Sequence, residues 1–439
     1  MSQAKVVSNA VWIIAGQVVK MLLSLVIAML TARYLGPSNF GLINYAASIV
    51  AFVMPVMYLG FDSILVREIV NHPEREGETM GTALLLSLCS SLMCILGVIA
   101  FAYFANAGEQ ETVIVCALYS VLLLFQALEL IKFWFQAKLL SKYATIISVI
   151  AYVVVSAYKI YLLASGKSVY WFALSNAIDY MLIAAGFLIV YSRIGGPKLR
   201  FSLVTGREMF RSGRFFIISS MMVTIFAQTD RIMLKHMLDT SAVGYYSAAI
   251  TCANLVGFIF VAIIESLRPP IFEAKKHDQK DFEFKVSQLY SVIIYGSLVV
   301  SLGLALFSSL VVRFLYGAEF LPAAMALKIV VWYTTFSYLG SVRNVWIVAE
   351  GKERMLWIIN LSGALANIGL NIVFIPIWGI NGAAFASLLT QIFTNVIVGY
   401  LLPPIRRNNR IMIQGLSFKI LGGMVVDMKS LLMRKFFHK

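Results

Sequence analysis

The stretch "MGTALLLSLCSSLMCILGVIAFAYF", residues 80–104, runs for 25 residues without a charged side chain. As a helix it would extend about 37 Å, more than the roughly 30 Å of a bilayer's hydrocarbon core. Similar apolar runs recur near 9–31, 40–60, 112–131, 143–164, 169–191, 215–237, 243–265, 288–312, 322–348, 355–376 and 380–402. The chain as a whole is 60% hydrophobic and 13% charged, with a mean hydropathy of +0.84, whereas soluble domains carry about 25% charged residues. These features predict an all-α integral membrane protein of about twelve transmembrane helices. The start, "MSQAKVVSNAVW", leads into a run too long for a signal-peptide core, so the first helix is expected to be retained.

Lys and Arg concentrate in alternate connections. Connections after even-numbered spans hold Arg67 and Arg75, then Lys132, Lys138 and Lys142, then the basic segment 192–214, then Arg268 to Lys285, then Lys352 and Arg354. Those after odd-numbered spans hold only Arg33, Lys167, Lys235 and Arg313. The asymmetry puts both termini in the cytoplasm. It also accounts for the formal net charge of +15 through loops beside anionic lipid, without nucleic acid as a partner. The stretch 411–426, broken by Lys419 and Gly422-Gly423, suits an interfacial helix rather than a further span.

The spans divide into lobes of six, 1–191 and 215–402, around a central cavity, with a basic cytoplasmic loop at 192–214 as hinge and a basic tail at 403–439. A shift of 203 residues sets "YLGPSNFGLINYAAS" (34–48) on "MLDTSAVGYYSAAIT" (237–251), pairing Ser38 with Ser241 and Gly41 with Gly244. Six being even, the halves would be parallel repeats, an arrangement suited to alternating access.

Ionisable groups inside a membrane generally face protein or a wet cavity. Polar residues recur at helical spacing as Asn9, Gln17, Lys20, Ser24 and Thr31 in span 1, and as Ser148, Tyr152, Ser156 and Lys159 in span 5. Span 7 carries Ser220, Thr224, Gln228, Arg231 and Lys235, and span 11 carries Asn360, Asn367 and Asn371. Lys20, Gln17, Lys159, Gln228 and Arg231 are therefore candidates to bind an anionic substrate; snorkelling to the interface is the competing reading for Lys159 and Arg231. Asp230 sits about 100° around the helix from Arg231 and is expected to meet a neighbouring helix or to exchange a proton. Asp179, Glu129 and Asp62 are the other coupling candidates, each weighed against a structural ion pair or cap. Lys328 and Arg343, nearer the ends of span 10, are expected to snorkel. The asparagines of span 11 serve either as interhelical glue or as a sugar-contacting surface.

The four cysteines lie inside predicted spans, so neither a disulfide nor a metal site is expected. "SGKS" (165–168) has Tyr161 where a phosphate loop needs glycine. The short outer connections leave no room for a large catalytic loop, so neither a cofactor nor an enzyme is expected.

Several segments carry a resemblance. "YLGPSNFGLINYAAS", "LGFDSILVREIVNHPEREGETMGTALLLS" (59–87), "TDRIMLKHMLDTSAVGYYSAA" (229–249), "ALKIVVWYTTFSYLGSVRNVWIVAEGK" (326–352) and "NIGLNIVFIPIWGINGAAFASLLTQ" (367–391) resemble the oligosaccharide flippases of bacterial O-antigen and capsule clusters. These form the polysaccharide transporter branch of the multidrug/oligosaccharidyl-lipid/polysaccharide exporter superfamily. The resemblance covers residues 1 to about 402. It implies transport of undecaprenyl-diphosphate-linked oligosaccharide to the periplasmic leaflet, for the O-antigen of lipopolysaccharide or a related polymer. The implied partners are that lipid-linked substrate, membrane lipid, and polysaccharide polymerase and chain-length proteins. One departure is "FWFQAKLL" (133–140), where family members often carry Gln-Gly-hydrophobic-Glu. The alternatives are a cation-coupled multidrug exporter, which would favour acidic cavity residues, and a membrane glycosyltransferase or polymerase. The orientation predicts that a cysteine introduced at Thr205 is labelled by an impermeant thiol reagent from the cytoplasmic side only; labelling from the outside would reverse the topology.

Overall fold

The computed structural model describes the backbone of residues 3–418 and 420, and the side chains of residue 12, residues 19–418 and residue 420. Among the described residues there is no strand, as expected of a chain whose peptide groups must be satisfied without water. The chain forms two compact units that divide between Gly244 and Tyr245. The first holds α1 (Gln3–Met57), α2 (Phe61–Asn71), α3 (Glu76–Ala105), α4 (Gln110–Ser120), α5 (Leu122–Leu128), α6 (Ile131–Ala137), α7 (Ser141–Ala164), α8 (Val169–Arg193) and α9 (Leu203–Met237). The division falls within α10 (Thr240–Ala253). The second unit continues with α11 (Gly257–His277), α12 (Gln279–Leu306), α13 (Ser308–Tyr316), α14 (Ala323–Ala349), α15 (Arg354–Trp378), α16 (Ile380–Ile392), a π-helical turn (Phe393–Ile397), α17 (Val398–Leu401) and α18 (Arg406–Gln414).

Every apolar run read from the sequence overlaps a helix. Among the described residues nine helical stretches are long and apolar enough to cross a membrane, or ten with the bent pair α10 and α11. The shortfall from twelve has local causes. The first two predicted spans are two helices that meet at a kink within α1, where Gly36 leaves the helical region at φ 71°, ψ 173°; α14 covers the tenth predicted span but is not among the nine.

The connection predicted for 192–214 is shorter and better anchored than a free loop. Arg193 closes α8, and α9 already begins at Leu203. Between them the Arg200 amide donates to the Gly77 carbonyl at 3.0 Å, the Ser202 amide to Thr82 Oγ1 at 3.0 Å, and the Tyr191 hydroxyl to the Pro197 carbonyl at 2.7 Å. A Cβ on Gly77 or Gly81 would collide with the carbonyls of Lys198 and Arg200, so small residues on α3 let this strap lie flat. Thr205 is buried, its hydroxyl donating to Glu78, which makes it a poor labelling position; exposed Ser212 is the site for that test.

Small residues also govern the crossing of α1 and the start of α10. A Cβ on Gly41 would strike the Thr240 carbonyl and the Gly244 amide; one on Gly244 would strike the Pro37 carbonyl. Ser38 and Thr240 hydroxyls hydrogen-bond across the contact at 2.8 Å. Under the 203-residue shift Pro37 corresponds to Thr240 and Gly41 to Gly244, so the contact is reciprocal between related positions.

In the second unit, Arg343 overturns the expectation that it snorkels. It is 5% exposed, and its Nη1 donates to the Thr394 carbonyl at 2.6 Å, inside the π turn. Asn409 Nδ2 donates to the Val396 carbonyl in the same turn at 2.7 Å. A π turn interrupts the regular i to i−4 ladder, and two side chains from outside it supply donors to its carbonyls. Tyr290 on α12 donates to Asn408 on α18 at 2.9 Å, completing a polar seam through an apolar core that includes Phe282, Leu289, Ile293 and Trp346. The tail helix α18 packs on α12, and Tyr295 binds the Leu416 carbonyl at 2.5 Å; residues 421–426 of the predicted interfacial stretch, with the rest of the tail, lie outside the described residues.

Two substitutions test these features by thermal unfolding of detergent-purified protein. Gly41→Ala forces backbone apart and is expected to destabilise by about 1–3 kcal/mol, while Gly97→Ala, with nothing within 4 Å of its Cβ, is expected to be neutral or up to about 1 kcal/mol stabilising. Equal behaviour of the two would refute the close crossing. Arg343→Ala empties a packed site and strands a carbonyl, a loss of about 2–4 kcal/mol; tolerance within about 0.5 kcal/mol would restore the snorkelled position.

Candidate functional site

Lys20 of the span 1 stripe and Ser148 of the span 5 stripe come to one cavity where α1 packs on α7. The cavity, of about 510 Å³ in the first unit, is lined by Lys20, Glu129, Lys132, Gln136, Thr145 and Ser148, with Val149 and Phe187 as apolar wall. The Lys20 ammonium lies 5.3 Å from the centre of the Tyr152 ring, a cation–π distance. Held by an aromatic face, it remains half-buried at the cavity wall. Glu129 pairs with Lys132 at 3.2 Å; the break between α5 and α6 brings the two to one side.

Farther along α7, Lys159 Nζ donates to Asn176 Oδ1 on α8 at 3.3 Å. One turn on, Asp179 is 8% exposed, one carboxylate oxygen is buried without a hydrogen bond, and both Lys20 and Lys159 are within electrostatic reach. Lys20, Lys159 and Asp179 thus form one charge cluster inside the first unit. The side chain of Gln17 lies outside the described residues.

The α9 candidates occupy a different place. Arg231 Nη1 donates to Gln228 Oε1 at 2.6 Å, and Ser48 Oγ on α1 donates to the same oxygen at 3.2 Å. Gln228 also borders a second cavity of about 270 Å³ with Asp62, Tyr58, Ser220 and Thr224. Asp230 is only 6% exposed and is engaged with its surroundings. At the end of α9, Lys235 pairs with Glu109 at 2.8 Å, and that hydrogen bond holds the Glu109 carboxyl below its ordinary range. Asn367 and Asn371 are fully buried and hydrogen-bonded to one another at 3.1 Å, inside the second unit.

Sequence reasoning missed Lys132 and Gln136 as cavity residues because they fall on a short helix, α6, assigned to a loop. Within "FWFQAKLL", where the sequence departs from the family pattern, Lys138 pairs with Glu76 on α3, which also accepts from Trp134 Nε1 at 3.1 Å. Among the described residues no cluster of His, Cys, Asp and Glu could hold a metal ion.

A multi-helix membrane fold with cations on the wall of an internal cavity defines a membrane protein built around a charged polar site. Residues 6–275 match the model of the polysaccharide biosynthesis protein family, and the chain belongs to that family. An uncharacterized membrane protein of Methanocaldococcus jannaschii is 26% identical over 236 residues, half of this chain and 46% of that protein. A putative O-antigen transporter of Shigella flexneri is 21% identical over 419 residues, 90% of this chain and 97% of the relative. The solved structure of the lipid II flippase MurJ in an inward closed conformation superposes with a TM-score of 0.70 at 15% identity, covering 94% of this chain and 92% of that one. The last likeness concerns the fold.

Proposed function

We propose that the protein is a flippase for oligosaccharide carried on undecaprenyl diphosphate, moving it from the cytoplasmic to the periplasmic leaflet of the bacterial inner membrane. Alternating access between two six-helix lobes is the mechanism we assign. Dividing α1 at Gly36, taking α10 with α11 as one span and adding α14 brings the helices to twelve, and an even count keeps both termini cytoplasmic. The observation that carries the reading is the Lys20 cavity, a basic and hydroxyl-lined chamber reached from α1, α6 and α7. Lysines at the chamber wall can hold a diphosphate through charge-assisted hydrogen bonds. Gln136, Thr145 and Ser148 supply neutral partners beside them, and the polyprenyl chain can stay in lipid. Membership of a polysaccharide biosynthesis family and a near full-length match to a putative O-antigen transporter support this cargo.

In this scheme Lys20 grips the headgroup, Lys159 and Asp179 balance charge behind it, and Gln228 fixes the Arg231 guanidinium toward a later position of the same headgroup. Asp230 holds α9 in the first unit. Lys20→Ala is expected to reduce flipping of fluorescent lipid-linked sugar in proteoliposomes by at least about tenfold with normal protein abundance, and Lys20→Arg to retain part of it. Arg231→Ala should impair flipping while leaving thermal stability near normal, whereas Asp230→Asn should lower thermal stability while the folded fraction keeps its response to an imposed pH gradient. Full flipping by the Lys20 variant would remove the cavity from the transport path.

A further inference from the structure

Lys132 and Glu129 have no role in the scheme above, yet both face the chamber that holds Lys20. Their ion pair spans 3.2 Å between residues three apart, at the break between α5 and α6. The Lys132 side chain is 36% exposed and that of Glu129 17%, so the pair sits at the wall rather than in packed protein. Asp62 lies within electrostatic reach of Lys132 from α2.

A diphosphate esterified at both ends carries one ionised oxygen on each phosphorus. One lysine matches only half of that charge, and with Glu129 ionised the chamber's lysines, Lys20 and Lys132, are already partly neutralised. A carboxylate and a phosphate oxygen compete for the same ammonium, because both accept charge-assisted hydrogen bonds of similar length. The pair is partly solvated, and such pairs contribute no more than about 1 kcal/mol, so exchanging one anionic partner for another is energetically accessible.

We propose that Lys132 is the second cation of the diphosphate site and that Glu129 is an internal counter-ion occupying it until the headgroup arrives. Resting on the assignment of the Lys20 chamber as the headgroup site, the exchange sets selectivity for diphosphate over monophosphate. A phosphodiester headgroup, with one phosphorus and one ionised oxygen, engages Lys20 and leaves the Glu129–Lys132 pair intact; a diphosphate esterified at both ends, with two ionised oxygens, engages both lysines and releases the carboxylate. No bond is made or broken, and Glu129 turns toward water or Gln136 as Lys132 turns to the ligand.

The test uses full-length protein in nanodiscs, with binding of undecaprenyl-diphosphate-linked N-acetylglucosamine and of undecaprenyl-monophosphate-linked N-acetylglucosamine, a phosphodiester with one charge, measured side by side. Glu129→Gln frees Lys132 and should tighten diphosphate binding by up to about fivefold, with little change for the monophosphate. Lys132→Ala should weaken diphosphate binding by at least about tenfold and reduce the preference over monophosphate; Lys132→Arg should restore most of it. In the double variant Glu129→Gln/Lys132→Ala, the gain from the glutamine should vanish, as a competition for Lys132 requires. The proposal is overturned if Lys132→Ala binds both lipids as the wild type does, or if Glu129→Gln tightens binding equally with Lys132 absent. Loss of diphosphate binding in Lys20→Ala alongside an unaffected Lys132→Ala would reject the second cation and leave the flippase reading standing. Wild-type binding by both lysine variants would reject the headgroup site itself.

Discussion

A bilayer's hydrocarbon offers no hydrogen bonds to a peptide group, and each unsatisfied group there costs several kcal/mol. The continuous helices of this chain follow from that constraint, and so do its local irregularities. Where the ladder departs from regular spacing, at the π turn of Phe393–Ile397, Arg343 and Asn409 supply the missing donors. Where the chain leaves a helix between α8 and α9, the strap's amides find Gly77 and Thr82. A buried arginine is justified here by a carbonyl it satisfies.

Charge obeys the same accounting at shorter range. The first unit contains Lys20, Lys159, Asp179, Glu129 and Lys132 within a few helical turns, and each has an aromatic, amide or ionic neighbour within reach. Such an arrangement is costly as pure scaffolding, since apolar residues of similar volume often stabilise a core as well or better. Three of the five, Lys20, Glu129 and Lys132, line the chamber, which is the ground for the binding role proposed above. The seam in the second unit connects Tyr290, Asn408, Asn409 and Arg343 to backbone and side chains.

The helices themselves were legible because apolar length near twenty residues is a direct imprint of bilayer thickness. The polar stripes of spans 1 and 5 were legible by period, yet the meeting of Lys20 with Tyr152 and Ser148 was not, because periodicity assigns faces and leaves partners open. Arg343 misled because position along a span says nothing about which neighbour has an unpaired carbonyl. Lys132 and Gln136 escaped because α6 is only seven residues long, too short for an amphipathic pattern to stand out. Gln228 was read correctly as part of a stripe, while its tie to Ser48 depended on the close packing of α1 and α9.

The reciprocal glycine contact has a genetic consequence. Gly41 meets the Thr240 carbonyl and Gly244 meets the Pro37 carbonyl, so two positions far apart in the chain share one steric gap. Enlarging either closes the same space, and keeping the other as glycine gives no relief.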